Sequence, residues 1–109
     1  MSDSESEIQK QILQYLELKG YMHWRNYVGP ILRGPRKLLS KNPMAGMPDI
    51  LGIFKTRHRL FGIEVKTKKG ILAEKQKVWI DKLNDAGAFC IVARDVSDVV
   101  EAFKTHDRI

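Results

Sequence analysis

"GMPDILGIFKTRHRLFGIEVKTKKG", residues 46–70, holds two apolar runs broken by a short polar one. Two apolar runs, "DILGIF" (49–54) and "RLFGIEVKT" (59–67), flank the polar tetrad "KTRH" (55–58). Short runs rich in β-branched and aromatic residues, separated by a few polar ones, read as a β-hairpin. A loop of residues 55–58 pairs Phe54 with Arg59, and the antiparallel register then runs outward through 53 with 60 to 49 with 64. The simplest turn therefore sets Asp49 opposite Glu64. Opposed side chains have Cβ atoms about 5 Å apart, and two carboxylates that close repel unless a proton or a cation lies between them. The period of two places Lys66 on the face of Glu64, about 7 Å along the strand. A slip of one residue would turn Glu64 to the other face.

Working outward, "SEIQKQILQYLELKG" (6–20) reads as a helix with Ile8, Ile12, Tyr15 and Leu16 on one face. Ser4 and Glu7 have the spacing of a capping box, and Gly20 is its stop. "YMHWRNYVG" (21–29) reads as a strand, with Trp24 and Tyr27 expected in the core. Residues 29–48 are dense in Gly, Pro and basic side chains and read as a long loop, a length that compact domains keep for function. "LAEKQKVWIDKLNDAG" (72–87) is a helix, "AFCIVA" (88–93) a buried strand, and "VSDVVEAFKTHD" (96–107) a closing helix. The expected class is α/β, in the order α-β-β-β-α-β-α.

The 109 residues suffice for one domain spanning 1–109. A hydrophobic content of 43% and a charged content of 29% are those of a soluble globular chain. No apolar run approaches the length of a membrane span, and the acidic "MSDSESE" start is not a signal peptide. The single cysteine, Cys90, excludes an internal disulfide and a cysteine-rich zinc site, and reads as a buried small hydrophobe. A cytoplasmic setting is expected. Lys and Arg number 19 against 13 Asp and Glu, a net charge of +6 that suits nucleic acid or an anionic membrane. The basic residues are unevenly spread: Arg33, Arg36, Lys37 and Lys41 stand in "RGPRKLLSKNP" (33–43) with no acid, and Lys66, Lys68 and Lys69 follow Glu64.

Two carboxylates and a lysine on one face suit phosphodiester hydrolysis. Mg²⁺ takes oxygen ligands and keeps places for substrate phosphate oxygens. A nearby ammonium stabilises developing negative charge. The plain alternative is a Glu64–Lys66 surface pair with Asp49 capping a turn, and for those three residues alone the plain alternative is preferred, because the pattern is short and common. Two further intrusions shift the balance. Gln76 lies on the apolar stripe of Leu72, Trp79, Ile80 and Leu83, where a glutamine needs polar partners; a satisfied core glutamine is equally consistent. Glu5 and Gln9 lie near the apolar face of the first helix, with Glu7 at its edge, although a solvated first turn reads the same way. His23, His58 and His106 have no metal-ligand spacing.

"GMPD" (46–49), then "IEVK" (63–66), then a helix bearing a glutamine, with "RN" (25–26) upstream before "VG" (28–29), resembles in this order the VRR-Nuc branch of the PD-(D/E)XK nuclease superfamily. The resemblance covers nearly the whole chain. It implies a restriction-endonuclease-like core with a mixed sheet flanked by helices. It implies Asp49 and Glu64 as ligands of Mg²⁺ or Mn²⁺ with the backbone carbonyl of Val65, Lys66 as catalytic lysine, and Gln76 as the helix glutamine beside it. The family adds an acid from the first helix; Gln9 stands near the expected place, with Glu5 and Glu7 close by. Small standalone members resemble Holliday-junction resolvases and act as homodimers.

The expected activity is metal-dependent endonucleolytic cleavage of DNA, selective for structure such as a four-way junction, because phosphate contacts read shape rather than sequence. Arg25 and Asn26 are expected near the scissile phosphate. Arg33, Arg36, Lys37, Lys41, Lys68 and Lys69 are expected to hold the DNA backbone. The alternatives are a non-catalytic nucleic-acid-binding module on the same fold, and a basic protein that binds another partner.

Overall fold

The computed structural model describes residues 3–107. Met1, Ser2, Arg108 and Ile109, the ends of the expected 1–109 domain, lie outside the described residues.

Helix α1 (Glu5–Leu18) begins with the capping box: the Ser4 hydroxyl accepts from the Glu7 N–H, and the Glu7 carboxylate accepts from the Ser4 N–H. Its inner stripe, Ile8, Ile12 and Leu16, recurs every four residues and is buried. Strands β1 (Met22–Arg25), β4 (Ile50–Ile53), β5 (Leu60–Val65) and β6 (Phe89–Ala93) form one sheet in the order β1-β4-β5-β6. The first two pairings are antiparallel and β5–β6 is parallel, so the sheet is mixed. The parallel pair requires a crossover, which helix α2 (Glu74–Asp85) supplies; α3 (Val96–His106) closes the chain.

The core lies between one sheet face and helices α1 and α3. It gathers Ile8, Ile12 and Leu16 with Ile50, Phe61, Ile63 and Val65 from the strands and Val99 and Phe103 from α3. The Phe103 ring meets those of Phe54 and Phe61 edge-on with centroids 4.9 Å apart, and Tyr21 closes the cluster at 5.0 Å. Each such buried side chain contributes roughly 1.5–3 kcal/mol. Helix α2 contributes no buried residue to this core and packs along β6 instead. No helix among the described residues is long and apolar enough to cross a membrane.

The hairpin register matches the sequence reading. Ile53 pairs with Leu60 and Ile50 with Ile63, and Phe54 N–H donates to the Arg59 carbonyl at 2.8 Å. Arg57 and His58 adopt φ of 63° and 52° to close the turn. Asp107, at the end of α3, accepts from the N–H groups of Lys55 and Thr56 and so ties the turn down.

Two expectations are corrected. Residues 29–48 are not an unbroken loop: β2 (Ile31–Arg33) and β3 (Leu38–Ser40) form a separate antiparallel ribbon within them. Trp24 and Tyr27 are not in the core but 41% and 65% exposed: Trp24 stands on β1, an edge strand, and Tyr27 lies past the end of that strand.

Candidate active site

The rows of the sheet bring the site residues together. Arg25 pairs with Ile50, and Ile50 with Ile63. The next row therefore holds Asn26, Asp49 and Glu64, and the Asn26 N–H donates to the Asp49 carbonyl at 2.7 Å. Strand alternation puts Glu64 on the face of Gly62, opposite the core-facing Phe61, Ile63 and Val65. Gly62 is required here: a Cβ would approach Cys90 Sγ to 2.8 Å and the Pro48 ring to 3.0 Å. Without it, Pro48 packs down on the sheet and fixes where Asp49 starts its strand. The Trp79 indole N–H, donating to the Ala45 carbonyl at 3.0 Å, anchors the same segment to α2.

Asp49 and Glu64 have different surroundings. Asp49 Oδ2 accepts from the Val65 N–H at 2.9 Å. Glu64 is 1% exposed, and its Oε1 meets no hydrogen-bond donor among the described residues. A buried ionised carboxylate without a partner is costly. Burial, then a hydrogen bond with Asp49 and the Asp49 charge, push the Glu64 carboxyl from its ordinary 4.5 up to about 9; the Lys66 ammonium pulls it back, and Glu5 adds a push upward. At neutral pH burial thus favours the protonated Glu64 carboxyl. An orphaned, buried oxygen beside a second carboxylate is what a hard divalent cation would satisfy.

An open cleft of about 580 Å³ lies over this row, lined by Glu5, Ser6 and Gln9 of α1, by residues 25–29, and by Asp49 and Val65. Of the three first-helix candidates, Glu5 and Gln9 thus reach the cleft, whereas Glu7 is held by Ser4, which lowers its pKa. Among the described residues no three His, Cys, Asp or Glu side chains form a closed metal-binding set. Two carboxylates with a backbone carbonyl suit Mg²⁺, which keeps waters and substrate phosphates in its remaining positions.

Of the remaining residues, Arg25 and Asn26 line the cleft, whereas Lys66, like Glu64, does not. Lys66 follows the last residue of β5, and its N–H continues the parallel ladder to the Ala93 carbonyl at 3.0 Å. Asn26 Nδ2 donates to the Pro48 carbonyl at 3.3 Å, tying β1 to the segment before Asp49, while Arg25 stands at the rim. Gln76 is half-buried and its carbonyl oxygen accepts from the Ala73 N–H at 2.8 Å, capping α2. It does not line the cleft. Lys68 and Lys69 are exposed on the turn after Lys66. Arg33, Arg36, Lys37 and Lys41 are exposed on the β2–β3 ribbon and its flank.

One contributor escaped the sequence reading. Arg94 Nη1 donates to the carbonyls of Thr67 at 2.6 Å, Lys68 at 3.2 Å and Gly70 at 2.8 Å, and braces the turn that follows Lys66. No spacing signals it; only the parallel pairing of β5 with β6 places position 94 beside position 67.

A solved structure of a VRR_NUC domain protein superposes with a TM-score of 0.63 at 18% identity, over 95% of this chain and 88% of the other. No curated protein matches the chain. The family model of the VRR-NUC domain matches residues 3–97, nearly everything from the first turn of α1 to the start of α3, and this chain therefore belongs to the VRR-NUC domain family, a family of the nuclease fold.

Proposed function

We propose that this protein is a Mg²⁺- or Mn²⁺-dependent endodeoxyribonuclease that hydrolyses phosphodiester bonds in branched DNA, four-way junctions included, as a homodimer. The observation that carries this reading is the buried, orphaned Glu64 carboxylate next to Asp49, which lines an open cleft, with the Lys66 charge close enough to act on it. Asp49, Glu64 and the Val65 carbonyl would hold the ion, with Glu5 or Gln9 above it. The bound ion would supply Lewis-acid stabilisation of the phosphate.

The protein's own groups have separable tasks. Glu64 gives up its proton, and Asp49 and Glu64 present fixed oxygens. Lys66 places an ammonium where negative charge grows on the phosphate oxygens. Gln76 keeps the start of α2 in place. The exposed cations of residues 33–41, with Lys68 and Lys69, bind flanking phosphates and carry no sequence information. A homodimer would set two such clefts against opposite strands of a junction.

Single-turnover kinetics test the role of Lys66. Lys66→Ala is expected to slow the chemical step on the order of 10²-fold while changing DNA affinity little, since its charge acts in the transition state. Lys66→Arg is expected to rescue poorly, because a planar fork does not replace a point charge. A Lys66→Ala protein that loses affinity alone contradicts the assignment.

The basic segment has its own signature. Alanine at Arg33, Arg36, Lys37 and Lys41 together is expected to weaken binding to every DNA sequence. It should also flatten the plot of log affinity against log salt by about 0.9 for each duplex phosphate that the protein no longer neutralises. An unchanged slope removes the segment from the DNA interface.

A further inference from the structure

Among the described residues the β2–β3 ribbon makes no extensive packing against another strand or helix. Its register pairs Ile31 with Ser40, Leu32 with Leu39, and Arg33 with Leu38. Alternation along both strands puts Leu32 and Leu39 side by side on one face. They are 61% and 75% exposed, whereas Ile31 and Ser40 at the root are half-buried. The tip, Gly34–Lys37, is closed by the Lys37 N–H donating to the Gly34 carbonyl at 3.0 Å. An isolated ribbon gains little from leucines left in water, and nothing in its own packing calls for that pair.

The charges around the pair limit what covers it. Residues 18–48 contain no Asp or Glu, while Arg33, Arg36, Lys37 and Lys41 stand near the leucines in the sequence. A second copy of this chain would bring the same cations against these. A polyanion that also offers flat apolar faces answers both features, and nucleic acid does so where base stacking is interrupted. Along an intact duplex the leucines meet only sugar and phosphate; at a branch point they meet open base faces.

We propose that the β2–β3 ribbon is a branch-sensing wedge, in which Leu32 and Leu39 pack against unstacked bases at a DNA branch point while the four neighbouring cations hold the flanking phosphates. The proposal rests on the reading of DNA as the ligand. It separates two tasks along one ribbon: the cations set affinity for any DNA, and the leucine pair sets the preference for branched over linear DNA.

The test uses the double variant Leu32→Thr/Leu39→Thr. Threonine suits a strand and a cross-strand pair, so the ribbon persists, and the exposed positions leave the melting temperature nearly unchanged. Binding is measured without metal, to a four-way junction carrying 2-aminopurine at its branch point and to a linear duplex of the same arm sequence. The variant is expected to lose about tenfold in junction affinity, the scale of two partly buried leucines. Duplex affinity and salt slope should stay as in wild type, and the 2-aminopurine signal should no longer respond to protein. Leu32→Phe/Leu39→Phe should keep both the preference and the signal. An unchanged ratio of junction to duplex affinity overturns the wedge. Equal loss on both DNAs together with dissociation of a dimer also overturns it, and assigns the leucines to a second copy. Wild-type protein that shows the junction preference and loses it in the variant, yet cuts no DNA, upholds the wedge and overturns only the catalytic reading; wild-type protein that binds no DNA overturns both.

Discussion

Asp49→Ala and Glu64→Ala are each expected to reduce DNA cleavage by on the order of 10³-fold or more, the scale of losing a metal's stabilisation of the transition state. The two variants differ in what else they remove. Asp49 also accepts the Val65 N–H at 2.9 Å, so its loss orphans a backbone donor at about 1–3 kcal/mol. Asp49→Asn keeps an acceptor there and isolates the loss of charge. Glu64 is enclosed and makes no compensating contact through Oε1, so Glu64→Gln keeps the volume and removes only the ionisable group. Both amide variants should fold, bind DNA and fail to cut it. Cleavage at the wild-type rate by either one contradicts the site.

Glu64 also gives the metal-free protein an unusual dependence of stability on pH. Its carboxyl is raised from 4.5 to about 9, chiefly by burial and then by Asp49. Below pH 4.5 it is protonated in both the folded and the unfolded chain. Between that pH and about 9 only the folded chain holds the proton, so stability falls as pH rises through this window, and above it the loss is complete. At pH 7 the deficit is on the order of 3 kcal/mol. Glu64→Gln should therefore raise the melting temperature of the metal-free protein and remove most of the slope between pH 5 and 9. Mg²⁺ or Mn²⁺ should stabilise the wild type more strongly at higher pH, because binding must displace the proton. Thermal melts of both proteins across this range, with and without metal, check the sign. A wild-type curve that is flat or rises through the window contradicts it.

The sequence makes the row of Asp49 and Glu64 legible because one short turn, Lys55–His58, fixes the register of two strands, and a two-residue periodicity carries it to their ends. The capping box at Ser4 and the apolar stripe of α1 are local and equally readable. What escapes is settled by tertiary contacts. Strands of three residues, as in Ile31–Arg33 and Leu38–Ser40, are too short to show a period among Gly, Pro and basic neighbours. Trp24 suggested burial by its type, but whether a strand lies at the sheet edge is not written in its own residues. Gln76 stood out as a polar intrusion on an apolar stripe, and the structure engages its carbonyl in a helix cap. Arg94 gave no signal, since its three carbonyl partners lie 24 to 27 positions away.

We propose that Asp49 and Glu64 hold a divalent cation for cutting branched DNA. This is tested most directly by incubating the purified protein with linear, flapped, forked and four-way DNAs, in Mg²⁺, in Mn²⁺ and in EDTA, beside Glu64→Gln. Paired, symmetry-related nicks on the four-way junction are expected from the wild type in metal, and none in EDTA or by Glu64→Gln. Cleavage undiminished in EDTA, or no cleavage of any DNA with either metal, would contradict it.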